Sequence, residues 1–305
     1  AIKSLQAKDL IYDGVLPQPK NYKNLDWEPK IQKLFRATDF GDDEDRTICK
    51  SDGSFTYFAS DVAFHMDKLD RTDGLLVNIW GADHGGYVKR MLSAVSAISG
   101  KDKQLEIKLC QMVNLIKNGK SIKMSKRSGT FVTLREIIEQ VGGDAVRFIM
   151  LTRRNDQALD FDIDKVTEKS KENPVFYVQY AHARMASVLR KAKELGFNNR
   201  KINEATLDLL VSQEQVGLCR ILANWPKVLE SAANNYEPHR IAFYLIELAS
   251  NFHSYWSLGR EKKELRFFQE DNEANTLAGL ALVKSCKYVL HSGLETLSVD
   301  APEEM

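Results

Sequence analysis

Leu75-Leu-Val-Asn-Ile-Trp80 is a nearly unbroken apolar run, and Gly81-Ala-Asp-His-Gly-Gly86 follows it directly. A short apolar run bounded by glycines reads as a strand covered on both faces, as in a parallel sheet. Val88, Met91, Leu92, Val95 and Ile98 then recur at the period of an amphipathic helix, which Gly100 ends. Leu105-Glu-Ile-Lys-Leu-Cys-Gln-Met-Val113 alternates and reads as the next strand. Strand, glycine loop, helix and strand make one right-handed βαβ unit of a parallel sheet. Ligands of such sheets bind at the carboxyl ends of the strands.

A hairpin follows. Asn118-Gly119 sits between two short apolar-alternating runs, and a type I′ turn needs positive φ at both of its central residues. The hairpin leads into a cationic loop, Lys123-Met-Ser-Lys-Arg127. The βαβ rule places this loop and Gly81–Gly86 on the same sheet edge. Two lysines three apart on a loop suit a polyphosphate whose charge grows in a transition state. A charged loop can equally be a solvated one. It is not a Walker loop, because the position five before Gly119 is Asn114.

Upstream, residues 1–46 are polar and irregular. Thr47–Phe58 reads as a hairpin turning at Asp52-Gly53, and Asp61 as the cap of a helix to about Leu69. Downstream of 133 the pattern is helical. Thr133-Leu-Arg-Glu136 is a capping box, Gly142-Gly143 ends that helix, and Asp144 is placed to cap the next. Asn173-Pro174 heads a long helix to about Leu195. Further helices are expected over 204–232, 237–258 and 274–297, the first broken at Trp225-Pro226. The expected fold is therefore an α/β half followed by an all-α bundle. Its parts are 1–134, a helical connector 135–172, and 173–305.

A length of 305 residues fits about two domains. With 43 basic and 42 acidic residues, bulk charge points to no polyanion, so any nucleic-acid surface is local. The four cysteines form no CxxC pair; structural zinc is not expected, and free thiols in a reducing compartment are. No apolar run reaches the roughly 18 residues of a membrane span, and the start lacks the plan of a signal peptide, so a cytoplasmic protein is expected. The start also lacks Met, as a chain beginning inside a larger protein would.

Three constellations could carry chemistry. Asp83 in the glycine loop could accept from ribose hydroxyls, or the loop could be an ordinary βα turn in which His84 has no special role. Tyr57 and Asp61, four apart, could hold a guanidinium or ammonium, or serve as a packed aromatic and a cap. Gln179-Tyr-Ala-His-Ala-Arg184 and Phe252-His-Ser-Tyr-Trp256 mix donors with rings able to stack on unpaired bases. Both stretches also fit plain core-facing helices.

Lys123-Met-Ser-Lys-Arg127 resembles the KMSKS loop of class I aminoacyl-tRNA synthetases, with Arg127 in place of the final serine. Ser51–Asp67, Trp80–Tyr87, Gly143-Asp-Ala-Val-Arg-Phe148 and Val178–Arg184 are similar, in this order, to segments of the bacterial arginyl-tRNA synthetases. Nearly the whole chain resembles the C-terminal half of that family. The resemblance implies the second half of a Rossmann-like nucleotide fold, then a DALR-type anticodon-binding domain. It implies that ATP, with Mg²⁺, activates arginine to arginyl-adenylate, and that the arginyl group passes to the 3′ end of tRNA(Arg). By position it assigns Tyr57 and Asp61 to arginine. It assigns Gly81, Asp83 and His84 to ATP, with Lys123, Met124, Ser125 and Lys126, of which Lys123 and Lys126 are catalytic. Gln179, Tyr180, Arg184 and Trp256 fall at or behind a tRNA surface. No resident metal and no membrane are expected, and the full-length protein is expected to be a monomer.

One departure stands out. Class I enzymes also use a His-Ile-Gly-His-type motif, and none of the six histidines begins a His-x-Gly-His sequence. The first sheet half and the family's N-terminal tRNA-binding domain are absent as well. The expectation is a fragment that is inactive alone, with apolar surface left open on 75–80 and 105–113. Alternatives are a standalone tRNA-anticodon-binding module and another adenylating enzyme that shares the lysine loop.

Overall fold

The computed structural model describes residues 1–18, 28–101, 104–122, 132–168, 170–197, 200–269 and 271–305. The chain divides into one unit of Ala1–Met112 and another of Val113–Met305.

The first unit opens with helix α1 (Ile2–Ala7) and strands β1 (Ile11–Gly14), β2 (Gln32–Phe35) and β3 (Arg46–Cys49), an antiparallel sheet in that order. The hairpin predicted over 47–58 is shorter than expected: β3 stops at Cys49, and a lone bridge reaches Phe55. Helix α2 (Tyr57–Arg71) therefore starts a turn before the predicted cap. Thr56, in extended backbone, caps it by accepting from Ala59 N. Asp61 lies inside the helix, beyond reach of its free N–H groups, so it is not the cap.

Strand β4 (Leu76–Gly81), helix α3 (Val88–Ser99) and strand β5 (Leu105–Cys110) are the predicted βαβ unit. The strands run parallel from Leu76 opposite Leu105 to Gly81 opposite Cys110. A 3-10 turn, Ala82–Tyr87, fills the glycine loop. The single strand expected over 105–113 ends at Cys110, where β4 has no further residue to pair with. Leu76 joins Phe35, Ile48, Val62, Met91 and Val95 in one buried cluster. The other face of β4 is open, with Ile79 72% exposed, so the expected burial of both faces is not met.

A polar chain ties α2 to β4. His65 Nδ1 donates to Asp61 O (2.7 Å), Asn78 Nδ2 donates to His65 Nε2 (2.8 Å), and Lys68 Nζ donates to Asn78 Oδ1 (3.0 Å). Burial holds the His65 imidazole below its ordinary range, so it is neutral and its tautomer is fixed by these partners.

In the second unit, β6 (Val113–Lys117) and β7 (Lys120–Ser121) form the predicted hairpin. Asn118 and Gly119 take φ of 51° and 69°, as a type I′ turn requires. Helices α4 (Leu134–Val141) and α5 (Gly143–Met150) follow. Thr133 and Glu136 complete both bonds of the capping box. Gly142, at φ +87°, takes the cap position of α5, so Asp144 is not its cap and falls in the first turn. Strand β8 (Leu159–Asp162) pairs parallel with β6, a pairing the sequence did not announce.

Helix α6 (Ile163–Thr167) leads to the bundle: α7 (Pro174–Glu194), α8 (Glu204–Leu207), α9 (Gln213–Asn235), α10 (His239–Glu261) and α11 (Glu273–Thr296). Asn173 caps α7 ahead of Pro174, as predicted. The break predicted at Trp225-Pro226 is absent, and α9 runs through it. Proline in a helix costs about 3 kcal/mol. Here α9 lies along α10, with Trp225 buried against Tyr244 at 5.2 Å, and that packing outweighs the lost hydrogen bond. All four cysteines are free thiols; Cys49 and Cys286 are buried, and burial pushes the Cys286 thiol up to about 12.

Candidate functional site

At the carboxyl end of β4, Gly81 gives way to the 3-10 turn that carries Asp83 and His84, both exposed. A Cβ at Gly81 would stand 2.5 Å from Asp83 Oδ1, so glycine is what lets this carboxylate fold back over the strand end. His84 Nε2 lies 3.7 Å from Asp83 Oδ2. This is the sheet edge where ligands of parallel sheets bind.

Beside it lies a cavity of about 830 Å³, lined among others by Arg46, Lys50, Tyr57, Ser60, Tyr87 and Arg90. Tyr57 is 93% exposed at the start of α2. Asp61, one turn on, does not line the cavity itself. Its Oδ2 accepts from the Tyr87 hydroxyl at 2.7 Å, and Tyr87 does line it. Burial, with the Asp61 carboxylate, holds the Tyr87 phenol well above its ordinary range, so it is a permanent donor. The Arg90 guanidinium sits 4.8 Å from the centre of the Tyr87 ring, and its Nε is buried without a hydrogen-bond partner. Tyr87 and Arg90 were missed as site residues. The signal was the pair of cations, Lys89 and Arg90, soon after Tyr87 at the start of a helix whose later residues are apolar or small.

Lys123, Met124, Ser125 and Lys126 lie outside the described residues; the hairpin that precedes them is described. Among the described residues, no group of three or more His, Cys, Asp or Glu could hold a metal ion.

In the helical unit, α7 and α10 bring Tyr180, Arg184, His253 and Trp256 together. Arg184 donates to the Tyr180 hydroxyl (2.8 Å) and to His253 Nδ1 (3.1 Å). His253 Nε2 donates to Tyr177 O (3.2 Å), which leaves Nδ1 free to accept. The guanidinium also lies 4.5 Å from the Tyr180 ring centre and 4.8 Å from that of Trp256. A planar cation fixed by two acceptors and two rings is a preorganised stacking and donor group. It borders a cavity of about 470 Å³ whose lining includes Tyr180, Arg184, Trp256, Arg260 and Met305.

Gln179 stands behind this surface. Its amide donates to Asp144 Oδ2 and to Asp300 O, each at 2.9 Å. His182 Nδ1 donates to Pro302 O (2.9 Å), and Arg190 to Glu303 O (2.9 Å). These α7 side chains lay residues 300–303 along the helix and bring Met305 to the cavity.

Residues 178–305 match the model of the DALR anticodon binding domain. The arginine–tRNA ligase of Ruegeria pomeroyi is 54% identical over the whole of this chain. Over its whole length the chain is similar to arginine–tRNA ligases. It spans about half the length of the curated relatives it matches, 53% of the Ruegeria protein and of that of Roseobacter denitrificans. A crystal structure of an arginyl-tRNA synthetase from Campylobacter jejuni, 31% identical, matches all of this chain with a TM-score of 0.77 and is covered to 61%. The Thermus thermophilus arginyl-tRNA synthetase, at 20% identity and a TM-score of 0.72, shares the fold; it is covered to 57%.

The expected fold class, a class I synthetase α/β half followed by a helical anticodon-binding domain, is thus the observed one. The helical part of this chain contains the Tyr180–Arg184–Trp256 cluster. Its α/β part carries the Asp61–Tyr87 pair. Among the described residues no helix is long and apolar enough to cross a membrane.

Proposed function

We propose that this chain supplies the anticodon-reading part and half of the catalytic part of an arginine–tRNA ligase. In the reaction, the arginine carboxylate attacks the α-phosphate of ATP, giving arginyl-adenylate and pyrophosphate. A hydroxyl of the terminal adenosine of tRNA(Arg) then attacks the arginyl carbonyl, so that the ester forms as the acyl–phosphate bond breaks and AMP leaves. Tyr57 and Asp61 receive the arginine, the Asp61 carboxylate meeting its guanidinium through charge-assisted hydrogen bonds. Tyr87 holds one oxygen of Asp61 and so sets the direction of the other. Gly81, Asp83 and His84 line the nucleotide side. Met124 and Ser125 belong to the loop in which Lys123 and Lys126 hold the phosphates as charge develops, the preorganised-cation effect expected of phosphoryl chemistry. Mg²⁺ enters bound to ATP.

The observation that carries the reading is the Tyr180–Arg184–Trp256 cluster, set at a cavity inside the segment that matches an anticodon-binding domain. Rings and a fixed guanidinium are what unstacked loop bases stack on and pair with. Gln179 supports this surface from behind. The chain works in the cytoplasm as part of a larger monomer, and alone it is inactive in aminoacylation, because it has no His-x-Gly-His sequence to share the phosphate charge.

The test is filter binding of the chain to a tRNA(Arg) transcript and to one with a scrambled anticodon loop, at two salt concentrations. Preference for the native loop is expected, followed by arginine-dependent pyrophosphate exchange once the rest of the protein is supplied. Equal, salt-sensitive binding of both RNAs would reduce the interaction to phosphate attraction and reject the reading.

A further inference from the structure

A second cavity, of about 550 Å³, adjoins the one at Tyr180 and Arg184. Ser187, Trp256 and Arg260 line both. Its volume is that of a small-ligand site. The far wall is the segment Leu265–Phe268, in which Leu265 and Phe267 are buried and Phe268 half-buried. The segment folds tightly against α10 at Gly259, where a Cβ would stand 3.2 Å from Leu265 O. Arg266 Nε donates to Gly259 O at 3.0 Å and pins it there. Phe267 lies 5.9 Å from Trp256, ring centre to ring centre. Around these apolar walls stand three exposed cations, Lys191, Arg260 and Arg266.

Aromatic walls ringed by cations match one chemistry closely: a flat ring carried on an anionic backbone, that is, a nucleotide of a single strand. Trp256 borders both cavities, so a strand seated in the first has its next base within reach of the second. We propose that this second cavity seats the base adjacent, in the anticodon loop, to the one held at Tyr180 and Arg184, with Trp256 between the two. The proposal rests on the anticodon reading above. Two consecutive bases are splayed apart and read separately, and Lys191 and Arg266 meet the phosphates that link them.

The test uses the full chain and anticodon stem-loop RNA of tRNA(Arg), intact or with one abasic nucleotide at each loop position. Phe268→Ala is expected to weaken the intact RNA about tenfold, within the range of one base–aromatic stack. That loss should vanish for the RNA abasic at one position, while the loss from Tyr180→Ala vanishes at the neighbouring position. A loss from Phe268→Ala that persists with every abasic RNA, or no loss with any, overturns the second seat. As a measurement needing no variant, 2-aminopurine is placed at each of the two adjacent positions. Both should change fluorescence on binding the unaltered chain, and a change at only one overturns the proposal. If Tyr180→Ala also leaves every affinity unchanged and the chain prefers no loop sequence, the anticodon reading itself falls. If Tyr180→Ala weakens binding and Phe268→Ala does not, only the second seat falls.

Discussion

The Tyr87 hydroxyl donates to Asp61 Oδ2 across 2.7 Å and so joins the glycine loop after β4 to the second turn of α2. The bond crosses from the proposed nucleotide side to the proposed arginine side. Tyr87→Phe keeps the ring under Arg90 and removes only this donor. Loss of one hydrogen bond to a charged group is worth about 1.5–3 kcal/mol. With the rest of the protein supplied, KM for arginine in pyrophosphate exchange should rise about tenfold while KM for ATP changes little, and the melting temperature should fall by a few degrees. An unchanged KM for arginine would show that Tyr87 does not orient Asp61.

Arg184→Lys keeps a charge but loses the fork that reaches Tyr180 and His253 together. If the guanidinium reads RNA, affinity for the native anticodon loop should fall about tenfold, toward that for the scrambled loop. Circular dichroism should be unaltered. Equal weakening on both RNAs would mean that Arg184 supplies only positive charge.

Gln179→Leu removes two hydrogen bonds and leaves Asp300 O and Asp144 with fewer partners. Stability should fall by about 1–3 kcal/mol, read as a lower urea midpoint. RNA binding should weaken only as far as the segment ending at Met305 is loosened. A Gln179→Leu chain of unchanged stability but abolished RNA binding would instead make Gln179 a direct reader.

His65, His182 and His253 are all held below the ordinary imidazole range, chiefly by burial. Acid therefore protonates them more readily in the unfolded chain than in the folded one. Their contribution to stability is complete above about pH 6.5 and is lost as pH falls toward their folded values. The urea midpoint should drop between about pH 7.5 and pH 5.5. His65→Gln should lower it at the higher pH but flatten the slope. A slope identical to that of the unaltered chain would show that His65 does not contribute.

Ile79 is 72% exposed on the open face of β4, with Val77 beside it and Met112, just past β5, 70% exposed. An apolar patch of this kind drives association. Ile79→Lys should change stability by no more than about 0.5 kcal/mol and reduce self-association in light scattering. A large loss of stability would show that the face is covered within the chain.

Much of this protein could be read from local pattern. The apolar run 75–80, its glycines and the helical repeat after them specify a βαβ unit, because period and punctuation act over neighbouring residues. Asn118-Gly119 specifies its turn through backbone φ, and Thr133–Glu136 and Asn173-Pro174 specify helix starts through free N–H groups. The misplaced caps at Asp61 and Asp144 failed for one reason: another residue nearby, Thr56 or Gly142, had the backbone angles a cap position needs, and composition does not reveal angles. The break expected at Pro226 failed because long-range packing on α10 outweighs a local penalty.

The sequence alone determined which chemistry was present: a glycine-lined strand end, a lysine-rich stretch, and aromatic and basic residues on helices. Only the tertiary structure decided which of these side chains meet. Tyr87 reaches Asp61 from 26 positions away, and Arg184 reaches His253 from 69 away. Gln179 is tied to Asp300, across 121 positions, rather than turned to a ligand. Such contacts depend on how helices and strands pack, a property of the whole hydrophobic core and of no single segment.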